Sequence, residues 1–187
     1  MSRDGKTRFA VLGLLSDGPL TGYDIKQMTE RSTRHFWAES YGNLYPTLKK
    51  LEAEKLVAVR IEAQTGKPDR KVYAITGAGR VAMLQWLRRP IDPAPPRNEL
   101  LLKLFFGGRT SWAVTRGHLE SLVAREKNRL ETFAELGEWL DGRYANDSHL
   151  PFWLATLSYG RCEADARIKW AEETLETLSK SQHAGED

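Results

Sequence analysis

Seven polar side chains in the first half of the chain have types and spacing suited to binding a polyanion. Four lie on a segment whose leucines recur at helical spacing, and three lie at or beside the tip of a predicted hairpin. They are Tyr41, Asn43, Tyr45, Lys49, Lys67, Arg70 and Lys71. Lysine and arginine neutralise phosphates, and polar side chains on a helix can reach base edges. The pattern predicts a surface for double-stranded DNA. The alternative is that the tyrosines lie at the edge of the core and the cations are solvated.

No set of residues has the spacing of a catalytic or metal site. The four histidines, His35, His118, His149 and His183, form no i,i+3 or i,i+4 pair, and a single cysteine excludes a Cys-x-x-Cys pair. The stretch "TGAGR" has neither the dinucleotide-binding spacing nor the P-loop lysine, and it is typical of a strand-to-helix turn. We therefore expect no enzyme, no metal and no cofactor.

The charge of the chain is divided between its halves. Residues 1–89 contain 16 Lys and Arg against 9 Asp and Glu, whereas residues 90–187 contain 12 against 16. This asymmetry indicates that the first half meets the polyanion. The single cysteine, the lack of an apolar run long enough for a membrane span and the lack of a signal-peptide pattern favour a cytoplasmic protein.

Three helices and a hairpin must position the polar side chains. The first helix has Val11, Leu12 and Leu15 on a buried stripe, and Thr21 with Asp24 three places on has the spacing of a capping box at the start of the second. Leucines at steps of four and three from Leu44 give the third helix an apolar face.

Pro46 leaves the start of the third helix open. The regular helix begins near Asn43, or it begins at Ser40 and bends at the proline. After it, alternation of Val57, Val59 and Ile61 predicts a strand, "QTGKPD" a turn, and "RKVYAIT" a returning strand. A fourth helix follows. Its residues spaced for packing are Val81, Leu84 and Leu87.

A proline-rich segment predicts a domain boundary. "PIDPAPPRN" has four prolines in nine residues and cannot continue a helix. We expect a domain at 1–89, a linker at 90–97 and an all-helical domain at 98–187. The fold class is mainly α (α+β), because the first domain carries a two-stranded β-hairpin.

The last helix has an apolar seam at steps of three and four. The positions that we expect at an interface are Leu154, Leu157, Ala164, Ile168, Ala171, Leu175 and Leu178. Such a heptad pattern is typical of a coiled-coil contact, and we favour a contact between subunits. The alternative is that the seam packs inside its own subunit.

Aromatic residues are frequent in the C-terminal half. Trp153, Leu157 and Arg161 combine apolar surface with a cation, as pockets for flat organic ligands do. They form the candidate effector site. Aromatic residues of this kind are also common in cores and interfaces.

Three segments resemble the PadR family of winged helix-turn-helix transcriptional regulators. They are "FAVLGLLSDGPLTGYDIKQM", "FWAESYGNLYPTLKKLEAEKLV" and "GKPDRKVYAITGAGR". The likeness continues more weakly through "NELLLKLFFGG" and the helix ending "IKWAEETLETL", which resemble the larger helical C-terminal domain of such proteins.

The resemblance implies a homodimeric repressor on an inverted-repeat operator, with the C-terminal helices at the interface and release by a small aromatic or phenolic molecule. It implies recognition-helix contacts for the four residues from Tyr41 to Lys49, and wing contacts for Lys67, Arg70 and Lys71. Two other functions fit the same residues: a winged-helix adaptor for proteins, and a protein that sequesters small molecules without binding DNA.

Overall fold

The computed structural model describes residues 6–37, 43–63, 69–91 and 97–183, with side chains to residue 181. The chain divides into two compact units, Met1–Pro93 and Ala94–Asp187. This division falls inside the predicted linker, of which 92–96 lie outside the described residues.

The N-terminal unit carries its helices and strands around one core. In chain order the described elements are α1 Thr7–Leu14, β1 Leu20–Thr21, α2 Gly22–Arg31, α3 Leu44–Ala53, β2 Val57–Glu62, β3 Arg70–Ile75 and α4 Gly77–Leu87. The core contains the predicted stripe of α1 and the leucines of α3, together with Ile25, Val57 and Tyr73. This order of three helices, hairpin and helix is that of a winged helix-turn-helix domain.

Two helix starts follow local chemistry. At α2 the predicted capping box is present: the Thr21 hydroxyl accepts a hydrogen bond from the Asp24 amide at 3.1 Å, and the Asp24 carboxylate accepts one from the Thr21 amide at 3.0 Å. Helix α3 begins at Leu44 with Asn43 as its N-cap. Pro46 therefore lies in the first turn, where an amide hydrogen has no acceptor within the helix. The start near Asn43 is the alternative that the structure adopts.

The hairpin belongs to a three-stranded antiparallel sheet of order β1-β3-β2. Strands β2 and β3 pair from Val57 with Ile75 to Glu62 with Arg70, and β1 adds two residues beside Tyr73 and Val72. Two residues are too few to show a period of two, so the sequence did not predict β1. The predicted alternation is wrong at Ile61, which is 64% exposed because the hairpin has left the core there.

The inward face of α4 differs from the prediction. Val81, Leu84 and Leu87 are exposed, whereas Met83 and Trp86 pack against the core. The Trp86 ring stacks on the Phe9 ring with centroids 4.8 Å apart. Both faces of this helix have apolar residues at helical spacing, so the period alone could not choose between them.

The C-terminal unit is helical in its described residues. Helix α5 spans Glu99–Phe105, a 3-10 turn spans Gly107–Arg109, α6 spans Trp112–Tyr144 and α7 spans Leu150–His183. A short connection, 145–149, returns the chain, and α6 and α7 pack along much of their length as a helical hairpin. The mainly helical class with a small sheet is thus confirmed.

The seam on α7 finds its partner inside the same chain. Leu157, Ala164 and Ala171 are buried, and Leu154 and Leu175 pack against apolar clusters that include residues of α6. Helix α6 thus covers part of the seam within the chain, and a contact of the seam with another subunit stays a prediction. Ile168 and Leu178 are half-buried, and their place at a subunit interface stays a prediction.

Within the described residues, no helix offers an apolar stretch that could cross a membrane.

Candidate nucleic-acid interface

Helix α3 has one face in the core and one in solvent. Leu44, Leu48 and Leu51 are buried, at steps of four and three. On the opposite side Tyr45 is 58% exposed, and Lys49 and Lys50 are exposed. The helix is therefore fixed by its leucines, and its polar face is available to a partner.

The end of α3 directs the chain straight into the hairpin. Lys55 has φ +58°, in the left-handed region, and the Leu56 amide donates to the Leu51 carbonyl at 2.9 Å. A left-handed residue with this hydrogen bond is a Schellman-type helix end. It brings β2 immediately after α3, so the hairpin is fixed close to the polar helix face.

Tyr45 is supported on one side by the first turn of α2. A Cβ atom added to Gly22 would lie 3.0 Å from the Tyr45 ring, so the ring packs closely on the backbone of α2 at this glycine. Burial raises the pKa of the Tyr73 hydroxyl, and the neighbouring Glu52 carboxylate and Tyr45 raise it further. The Tyr45 ring thus lies across α2 and the sheet with more than half of its surface exposed.

The side chains of Arg70 and Lys71 have different surroundings. They are adjacent on β3, so their side chains point to opposite faces of the hairpin. The Arg70 guanidinium lies 3.3 Å from the Asp24 carboxylate, while Lys71 is exposed opposite Ile61. The pKa of Asp24 is lowered, first by the Thr21 hydroxyl and amide and then by Arg70. Arg70 therefore connects the tip end of the hairpin to the start of α2.

Of the three remaining predicted DNA contacts, the structure describes one. Asn43 is the half-buried N-cap of α3. Tyr41 and Lys67 lie outside the described residues.

Sequence reasoning missed three exposed side chains on the same unit. Lys50 is exposed beside Lys49, and the Arg60 side chain is exposed on β2. Tyr23 in the first turn of α2 is 60% exposed, and its hydroxyl accepts a hydrogen bond from Gln27 Nε2 at 2.7 Å. An exposed aromatic residue at a helix start is the signal that could have pointed to Tyr23.

The predicted effector residues lie in and beside an apolar cluster of α6 and α7. Trp153 packs edge-to-face on Tyr144, with ring centroids 5.3 Å apart, and Leu157 is buried in the same apolar cluster. Arg161 is exposed on α7. None of the three lines the cavity of about 790 Å³ among α5, α6 and α7. Their role toward an effector stays a prediction.

Two known families match successive parts of the chain. Residues 11–85 match the transcriptional regulator PadR-like family, and residues 96–179 match the virulence activator alpha C-term family. The first match covers most of the N-terminal unit, and the second covers most of the helical unit.

Two relatives are similar in sequence. A "probable transcriptional regulator" of Mycobacterium tuberculosis is 26% identical over 185 residues, which cover 92% of this chain and 97% of that protein. The negative transcriptional regulator PadR of Bacillus subtilis is 37% identical over 101 residues, which cover 53% of this chain and 55% of that protein. The second match thus spans about half of each chain.

Solved structures of Bacillus subtilis PadR share the fold. Its complex with operator DNA has a TM-score of 0.78 at 25% identity, and its complex with p-coumaric acid has a TM-score of 0.74 at 24% identity. Both comparisons cover 92% of this chain and 98% of the other. The second is a similarity of fold alone.

Proposed function

Because the chain belongs to the PadR-like family of DNA-binding transcriptional regulators and is not an enzyme, we propose that it is a homodimeric, sequence-specific repressor of an inverted-repeat operator. A small organic molecule, aromatic or phenolic, releases it from DNA. The two-faced helix α3 is the observation that carries the proposal.

In this proposal α3 enters the major groove, which admits one helix. Its leucines hold it in the core, so Tyr45, Lys49 and Lys50 can lie along the duplex. Asn43 and Tyr41 near the helix start reach base edges or phosphates. An asparagine amide can make two hydrogen bonds to adenine, so Asn43 contributes to the choice of site.

The hairpin contributes affinity rather than sequence choice. Lys67 and Lys71 contact phosphates beside the groove. Arg70 has a positioning role, because its ion pair with Asp24 holds the hairpin against α2. Phosphate contacts of this kind act on any sequence, and their strength falls with salt.

The dimer is supported by apolar surface that no described residue covers. Leu102, Phe105 and Phe106 on and after α5 are exposed, as are Val81, Leu84 and Leu87 of α4. Exposed apolar patches of this kind mark protein contacts. Repression is supported by the name of the Bacillus subtilis relative, a negative regulator.

Fluorescence anisotropy with labelled DNA from the region upstream of the protein's own gene tests the proposal. Lys49→Ala and Lys71→Ala should each weaken binding to operator and to random DNA alike, and each should lower the slope of log K against log salt by about 1. Asn43→Ala should bring the affinities for operator and random DNA closer together, because it should weaken the binding free energy for the operator by about 1–3 kcal/mol. Lys180→Ala, an exposed lysine of α7, is the matched control.

If neither Lys49→Ala, nor Lys71→Ala, nor salt changed the DNA affinity, the polar face of α3 and the hairpin would not be a DNA-binding surface. This result would leave the protein adaptor or the sequestering protein as the function. Release is tested by adding small aromatic molecules to the same protein–DNA complex and following the anisotropy. A molecule lowers DNA affinity only if it binds the DNA-free protein more tightly than the DNA-bound protein.

A further inference from the structure

A cavity in the helical unit has the dimensions of a small-molecule site. It lies among α5, α6 and α7 and encloses about 790 Å³. Sites for cofactors and drug-sized ligands range from about 300 to 1,000 Å³. The cavity is distinct from the candidate effector residues around Trp153.

Each long helix lines the cavity with one face. Helix α6 contributes His118, Ser121, Leu122 and Arg125, and α7 contributes Glu163, Ala166, Arg167 and Trp170. Both sets have the spacing i, i+3, i+4, i+7, which places their members in one stripe along the helix. Rigid helices therefore hold most of the lining side chains.

The inner surface of the cavity is apolar. Leu122 is buried, and Leu100 and Trp170 pack against the cluster formed by Leu119, Leu122 and Ala171. A flat hydrocarbon group would gain free energy here by leaving water, at roughly 25 cal/mol per Å² of buried apolar surface.

The walls carry more positive than negative charge. Four lining residues are cationic, Arg97, Lys103, Arg125 and Arg167, and two are acidic, Glu99 and Glu163. The surroundings have the opposite balance, because residues 90–187 contain 12 Lys and Arg against 16 Asp and Glu. The cavity is thus a cationic site in an acidic unit.

Some of these cations are already paired. Lys103 lies 2.8 Å from Glu99, and the Arg167 Nη2 atom lies 2.8 Å from Glu163. Within the described part of the chain Arg97 makes no ion pair, and the one ion pair of Arg125 is a contact of 3.5 Å between its Nε atom and Glu126. These two side chains hold the unmatched charge.

A buried carboxylate brings two guanidinium groups together. Glu126 is fully buried, and its Oε1 atom lies 3.5 Å from Arg125 Nε and 3.4 Å from Arg167 Nη1. Its other oxygen pairs with Arg129. Three guanidinium groups, of Arg125, Arg129 and Arg167, face only two carboxylates, Glu126 and Glu163, so the cluster has one unmatched positive charge that favours a further anion. Glu126 also fixes the arginines in place before any ligand arrives.

We propose that this cavity binds a small organic anion with a flat apolar body. Its carboxylate or sulfonate lies against Arg125, since a guanidinium group recognises such an anion with paired hydrogen bonds. Its rings lie against Trp170 and Leu122. Binding is independent of DNA, and the role of the cavity as the effector site rests on the proposed function.

The full-length protein is tested with two fluorescent probes that share their rings. Anilinonaphthalenesulfonate carries a sulfonate, and N-phenylnaphthylamine is neutral. We expect the sulfonate to bind with a saturable rise in fluorescence and more tightly than the neutral probe. Arg125→Gln should weaken the sulfonate about tenfold, the value of one hydrogen bond between charged groups, and leave the neutral probe unchanged.

Two controls separate the cavity from other surfaces. Arg116→Gln removes an exposed cation of α6 outside the cavity and should change neither affinity. Trp170→Phe should reduce energy transfer from tryptophan to the bound probe, whereas Trp139→Phe near the far end of α6 should not. The Arg125 side chain is 64% exposed, so its variant should fold, and a thermal melt verifies this.

Equal affinity for the two probes, or an unchanged sulfonate affinity in Arg125→Gln, overturns the site. Equal losses in Arg125→Gln and Arg116→Gln also overturn it, since they indicate general charge attraction. DNA anisotropy on the same samples is read separately. Absence of DNA binding would refute the proposed function without affecting the site. Probe binding that leaves DNA affinity unchanged would refute only the effector role.

Discussion

Individual residues of the N-terminal unit are constrained by close backbone contacts. The amide of Gly79 donates to the Thr76 hydroxyl at 3.1 Å, and that hydroxyl donates to the Leu56 carbonyl at 3.1 Å. A Cβ atom at Gly79 would lie 2.2 Å from the Leu56 oxygen. The start of α4 is therefore closed to any side chain at this position.

Gly79→Ala should reduce the free energy of unfolding by about 2–3 kcal/mol, because the methyl group must displace backbone atoms. Gly77→Ala is the matched control, since its added methyl group meets no atom within 4 Å. It should be neutral or stabilise by less than about 1 kcal/mol. Urea unfolding measures both, and equal effects would contradict the close contact.

Asp24 predicts a dependence of stability on pH. Hydrogen bonds from Thr21, and then Arg70, lower the pKa of this carboxyl in the folded protein. Its contribution is therefore present above the unfolded pKa of about 3.9 and is lost as the pH falls through the folded pKa. The Arg70 and Asp24 side chains are 47% and 35% exposed, so solvent screens their interaction. The contribution of Asp24 to the free energy of unfolding is therefore below about 1 kcal/mol.

Asp24→Asn tests this contribution. The difference in unfolding free energy between wild type and variant should be present near about pH 6 and should be smaller near about pH 3, which is below the unfolded pKa of about 3.9. A difference of the same size at both pH values would mean that the charge of Asp24 has no part in stabilising α2.

At the scale of elements, the α6–α7 hairpin is the main packing unit of the C-terminal half. Gly160 lies so close to Phe133 that a Cβ atom there would be 2.7 Å from the ring, and Ala164 and Ala171 are fully buried. Small residues on α7 thus allow close approach of α6. The hairpin needs no second subunit to bury this seam.

Ala171→Leu distinguishes the two interpretations of the seam. If α6 covers it, the larger side chain should lower the unfolding free energy by about 1–3 kcal/mol while dimer dissociation stays unchanged. Ala155→Leu on the exposed side of α7 is the control and should have little effect. Sedimentation equilibrium measures dissociation, and a dimer weakened by Ala171→Leu without loss of protomer stability would restore the seam as a subunit contact.

At the scale of the whole molecule, the proposed dimer places two winged domains on one operator. Two-fold proteins of this type contact half-sites about one helical turn apart, roughly 34 Å. The second domain then binds at a high effective concentration, which raises affinity by roughly a hundredfold or more over one domain alone.

Changing the spacing of the half-sites tests this arrangement. Inserting half a turn, about 5 base pairs, should move the second half-site to the opposite face of the duplex and remove most of the gain in affinity. Inserting a whole turn, about 10 base pairs, is the control that keeps both half-sites on one face. Affinity that does not respond to half-turn insertion would indicate binding by independent protomers.

The sequence by itself determined the features that depend on neighbours along the chain. The leucine spacing from Leu44 predicted the inward face of α3, and the Thr21–Asp24 spacing predicted the cap of α2. Helix periods and caps are set by contacts within a few residues, so they can be read locally. The motifs of the N-terminal half predicted the similarity to the PadR-like family that residues 11–85 show.

Only the tertiary structure decided which partner each surface meets. The heptad on α7 fitted a helix of the same chain or of another, and α6 took that place. Trp86 rather than Leu87 faced the core, and Arg70 met Asp24 across 46 positions. The cavity among α5, α6 and α7 is lined by helix faces that mix polar and apolar residues. The hydrophobic period of one helix does not reveal such a face. These choices depend on contacts between residues far apart in sequence, and such contacts form only when the whole unit packs.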